Sequence, residues 1–180
     1  MMTPARFPWR RFWRDIRGVA ASEFALILPV MMVLMLGSVE VGNALLLHRK
    51  VTSATQTGAD LAAQATALDD ADIANLFEAM DAILAPFPTE PAGIILQSVV
   101  DDDGSTVIDW IDVQGGGGGA GAAGDELDVP DGLVLPGASV IVAQVSYDYT
   151  PVFADLIVNS FTISDTAYLR PRRVTAVVRE

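Results

Sequence analysis

Residues 19–39 form an apolar run interrupted only by Ser22, Glu23, Pro29, Gly37 and Ser38. As a helix rising about 1.5 Å per residue the run is about 31 Å long, the thickness of a bilayer's hydrocarbon core. A chain with such a segment is expected to cross a membrane once and to fold the rest of itself on one side. The 180 residues leave room for one modest domain beyond that segment.

Charge orients the segment. The net charge of −12 averages over unlike zones: residues 1–18 hold Arg6, Arg10, Arg11, Arg14 and Arg17 against Asp15, whereas 51–169 contain 19 Asp and Glu and no Lys or Arg. Positive residues stay on the cytoplasmic side, which predicts a basic cytoplasmic leader over 1–18, a transmembrane helix over 19–47 and an extracytoplasmic domain over 48–180. The leader suits anionic lipid headgroups of an inner membrane. An all-acidic body repels phosphates, which argues against nucleic acid as a partner. The absence of cysteine removes disulfides, thiolate nucleophiles and cysteine-based metal sites. A cleavable signal peptide, with a small-x-small site at Gly42-Asn43-Ala44, is the competing reading; a cut there would break a helical pattern that runs straight on.

That pattern continues through Val51, Ala54, Gly58, Leu61, Ala62, Ala65 and Leu68, spaced by three and four, so one long helix is expected over about 19–68, kinked at Pro29. Asp69 and Asp70 are placed to cap a second helix bearing Ile73, Leu76, Phe77, Met80, Ile83 and Leu84 on one face and ended by Pro86 and Pro88. Strands follow over 94–100 and 106–113, joined by an Asp-Gly turn at 101–105, then over 138–149 and 161–169, with a short last one over 174–178. The Gly/Ala run 115–124 offers nothing to bury and reads as a mobile loop. The fold class is α+β: a long N-terminal helix whose soluble part packs on a small antiparallel sheet.

Glu23 is the most informative single residue, since a carboxylate one turn inside an apolar run is costly without a partner or interfacial depth. Ser38 and Gly42, four apart, permit close approach of another helix. Asp101, Asp102 and Asp103 beside Gly104 lack the glycine and distal glutamate of a calcium loop and read as a hairpin turn, so no metal is expected. His48, next to Arg49 and Lys50, reads as interfacial or solvated. Arg170, Arg172, Arg173 and Arg179 either face solvent or meet the acidic face of a neighbouring copy. No nucleophile elbow, phosphate loop or paired-carboxylate motif is present, so neither an enzyme nor a cofactor is expected.

The stretch Arg17-Gly18-Val19-Ala20-Ala21-Ser22-Glu23-Phe24 resembles the prepilin-peptidase site of type IV pilins and Flp-type pseudopilins, in which a basic leader ends in glycine; Phe24 stands where Flp-type sites often carry tyrosine. Ser22-Glu23-Phe24-Ala25-Leu26-Ile27-Leu28-Pro29, and near the other end Val145-Ser146-Tyr147-Asp148-Tyr149-Thr150-Pro151 with Ala167-Tyr168-Leu169-Arg170-Pro171-Arg172, resemble the TadE/TadG-like family, and the short length favours its TadE-like side. The resemblance implies a pilin-like fold and a pseudopilin, structural or assembly part of a tight-adherence (Flp-type) type IV pilus. It implies cleavage between Gly18 and Val19 by a prepilin peptidase, with Glu23 as the charge that pairs with a neighbouring subunit's new amine. The implied partners are other pilins, pseudopilins and tight-adherence assembly proteins. The alternative is an unprocessed bitopic scaffold of an envelope secretion or pilus complex.

Overall fold

The computed structural model describes residues 18–102, 104–116, 119–130, 132–151 and 160–180. The expectations for leader residues 1–17 and for Asp103 fall outside them. Helix α1 spans Val19–Gln64, 46 residues that pass through Pro29 and through the would-be signal cleavage point at 42–44 without a break in the helix. It ends four residues short of expectation. Ala65 turns to an extended conformation, and Ala67–Leu68 form strand β1 instead. The reason lies at the far end of the chain: β1 pairs in parallel with β6 (Val178–Arg179), and the backbone N–H of Glu180 donates to Leu68 O at 3.0 Å. Those hydrogen bonds replace helical ones, and the last strand accordingly lies at Val178–Arg179 rather than over 174–178.

Helix α2, Asp70–Leu84, begins where its caps predict. The Asp69 carboxylate accepts from Asp72 N–H at 2.8 Å and the Asp72 carboxylate returns the contact to Asp69 N–H at 3.4 Å, a reciprocal capping box. Ile73, Leu76, Phe77, Met80 and Leu84 are buried against α1, as their spacing requires. Gly58 makes that packing close: a Cβ there would lie 2.7 Å from the Met80 methyl, and Met80 is fully buried. Lys50 Nζ donates to Ile83 O at 2.9 Å, so one of the two cations after the apolar run caps α2 rather than facing headgroups.

Four antiparallel strands complete the domain: β2 (Ala92–Asp102), β3 (Ser105–Gly115), β4 (Ser139–Tyr149) and β5 (Phe161–Leu169), in the order β3-β2-β4-β5. β2 and β3 extend beyond the predicted strands, because the hairpin closes tightly between Asp102 and Ser105, with Gly104 at φ +94°. At its other end Gly115, at φ +68°, lies so close to Ala92 O that a side chain there would collide with it.

The second half of the Gly/Ala run lies along β3. Gly124 N–H donates to Ile108 O at 2.8 Å, Ile108 N–H to Asp125 O at 2.9 Å and Leu127 N–H to Thr106 O at 2.9 Å. The segment thereby covers part of an edge strand that would otherwise expose unpaired backbone.

One sheet face packs on both helices. Ile94, Leu96, Trp110, Ile141, Ala143, Val145, Tyr147 and Tyr149 meet Leu47, Val51, Ala54, Ala59 and Ala62 of α1 and the apolar face of α2 in the main core. On the opposite face Val99, Val140 and Val142 pack with Val129. The C-terminus is tied in by Trp110 Nε1, which donates to Val177 O at 2.9 Å.

Candidate functional site

The sites expected from the sequence lie on the outer half of α1, away from the sheet. Gly18 is the N-cap, with helical φ −92° and ψ −5° and no side-chain cap. Val19 and Glu23 are exposed one turn apart, and among the described residues Glu23 has no hydrogen bond or ion pair. Ser38 and Gly42 are also exposed. The Ser38 hydroxyl bonds back to Met35 O at 2.7 Å, and nothing lies within 4 Å of where a Gly42 side chain would begin. Among the described residues nothing covers this small-residue face.

Residues 18–39 are exposed all round except for half-buried Leu36, and α1 is the one described helix long and apolar enough to cross a membrane. At Glu40 the surroundings change. Glu40 is only 7% exposed, and its Oε1 accepts from the Tyr149 hydroxyl at 2.5 Å. Burial pushes the Tyr149 hydroxyl up to about 12, helped by its hydrogen bond to Glu40 and the charge there. The Phe161 ring meets Tyr149 edge-on at 5.4 Å. Sequence reading passed over this pair. The signal was present: Glu40, Ala44, Leu47, Val51, Ala54 and Gly58 recur at spacings of four and three, which puts an acid on the stripe that becomes core.

The C-terminal arginines are largely engaged within the chain, which narrows their expected role against a neighbouring copy. Arg172 pairs with Asp60 at 2.6 Å, and Arg170 donates to the carbonyls of Gly132 and Leu133. Arg179 joins Asp112 of β3, at 2.9 Å, to Asp70 of α2, at 2.5 Å, and hydrogen bonds first to Asp112 and then to Asp70 push its pKa up against the opposing effect of burial.

His48 is exposed. Among the described residues no three His, Asp or Glu side chains are grouped to hold a metal. The trough of about 560 Å³ between α1 and β5 is lined by Thr52, Gln56, Asp60, Asp165, Thr166 and Tyr168, where Asp60 is already paired with Arg172. It pairs no nucleophile with a base.

A 46-residue helix, exposed along its apolar first half and roofed by a four-stranded sheet along its second, makes an α+β protein with one candidate membrane span, consistent with a single-pass membrane protein. Residues 18–60 match the family model described as TadE-like protein, which supports a TadE-like assignment and an association with tight-adherence pilus assembly. The match begins at Gly18 and stays almost wholly within α1, covering less than half of the chain. No curated protein and no solved structure matches the chain.

Proposed function

We propose that the protein is a TadE-like pseudopilin, a structural or assembly component of a tight-adherence (Flp-type) type IV pilus, anchored in the inner membrane with its leader cytoplasmic and its head periplasmic. The observation that carries this reading is α1 itself, in which one uninterrupted helix supplies both an exposed apolar half and the stem on which the head is built. In this reading a prepilin peptidase cuts between Gly18 and Val19, Glu23 neutralises a neighbouring subunit's amine, and Ser38 and Gly42 face other pilins. The protein positions partners and turns over no substrate. The TadE-like match over 18–60 supports the class, since it covers Gly18, Val19, Glu23, Ser38 and Gly42 together.

The test is the N-terminus of the protein recovered from membranes of a host with pilus machinery. A chain beginning at Val19, together with loss of pili on deletion of the protein, is the expected result. A retained leader favours the bitopic scaffold instead. Pili that assemble normally without the protein would overturn the assembly role.

A further inference from the structure

No spacer separates the apolar run from the head. Exposure on all sides ends at Val39, and the sheet covers α1 from Glu40 onward. With 19–39 in the hydrocarbon core, residues 40–44 occupy the next ~7 Å, the depth of one headgroup layer. Among the described residues, Tyr149 and Phe161 of the sheet and Pro151 just beyond β4 lie beside this stretch. Between them and Gly37, Val41 and Ala44 lies a groove of about 240 Å³, apolar except for the Glu40 carboxylate that Tyr149 caps. Phe161 is 42% exposed beside it, and Val41 and Leu45 on the adjoining helix are 60% and 61% exposed. Apolar side chains clustered this way call for cover.

Strand direction agrees. β4 and β5 bring Tyr149 and Phe161 to the same end of the sheet, whereas the acidic hairpin end, Asp101, Asp102 and Ser105, lies at the opposite end, about 33 Å away along an eleven-residue strand. The most acidic turn is thus held far from lipid phosphates.

We propose that the groove between α1 and the Tyr149–Phe161 end of the sheet is a phospholipid site: this end of the head lies in the headgroup layer of the membrane that α1 crosses, and lipid carbons fill the groove. The head is then seated on the bilayer and does not stand on a stalk. The inference rests on the reading of 19–39 as a membrane span.

The chain has no cysteine, so one introduced thiol is a unique reporter. Phe161→Cys, Leu45→Cys, Ser105→Cys and Leu34→Cys, each in the full chain, carry a bimane label in vesicles of phosphatidylethanolamine and phosphatidylglycerol. The expected result at 161 and 45 is strong quenching by nitroxide-bearing lipids and loss of quenching by aqueous iodide, with the reverse at 105 and deep-lipid quenching at 34. Leu45→Cys reads the same depth without altering the sheet. Iodide quenching at 161 and 45 with lipid quenching at 34 overturns the seated head but keeps the span. Iodide quenching at 34 overturns the span itself. Protection from both quenchers at 161, growing with protein density in the vesicle, assigns the groove to a second copy and overturns the lipid site.

Discussion

Tyr149 and Glu40 join two parts of the chain 109 residues apart, and the bond between them is the contact nearest the apolar half among those that hold α1 to the sheet. Tyr149→Phe removes one hydrogen bond to a buried carboxylate, and a loss of about 1–3 kcal/mol in head stability is expected. Its pH dependence has a defined sign. The folded protein holds the Tyr149 proton from the ordinary 10.0 up to about 12, so the contribution is complete below pH 10 and is lost as pH rises towards 12. In an ultraviolet titration of tyrosinate, the component ionising near pH 12 should vanish in Tyr149→Phe. If that component persists, the ionisation belongs to another tyrosine.

At the scale of elements, the two helices meet through absent side chains as much as present ones. Gly58 lets α2 approach closely enough for Met80 to be fully buried. Gly58→Leu is therefore expected to lower the thermal stability of the head by about 1–3 kcal/mol through overpacking. Scanning calorimetry that found no change would mean that α2 can move away at no cost. Asp69→Ala removes the acceptor of the α2 capping box, with an expected loss of about 1 kcal/mol. This helix was legible in advance from Asp69 standing just before an apolar face spaced by three and four, although the residue that completes the cap is Asp72 and not Asp70. The end of α1 was not. Nothing local marks Gln64 as a stop, and the backbone beyond it leaves the helix because β6, more than a hundred residues later, offers a parallel partner.

At the scale of the molecule, α1 is two helices in energetic character. Leu47 is fully buried beneath the sheet, whereas Leu34 is 68% exposed on the apolar half. Leu47→Ala should cost the head about 2–5 kcal/mol, and Leu34→Ala should leave its unfolding, followed by circular dichroism in micelles, unchanged. An equal effect of both would mean that the apolar half also packs on the head. The same division separates the sites. Gly18, Val19, Glu23, Ser38 and Gly42 are exposed, and none of them packs against the sheet among the described residues.

The sequence by itself determined the membrane-length helix, the capped second helix, the antiparallel hairpin and the α+β class. Each of these follows from periodicity, caps and turn chemistry acting within a few residues. Only the tertiary structure decided that Glu40 is a buried hydrogen-bond acceptor, that Arg172 and Arg179 are engaged inside the chain, and that the end of the Gly/Ala run and the residues after it lie along β3. Those outcomes depend on which strands pair and in what register. The burial of one face of α1, and with it the choice of partner for a charge, is settled only when strands from the far end of the chain close over it.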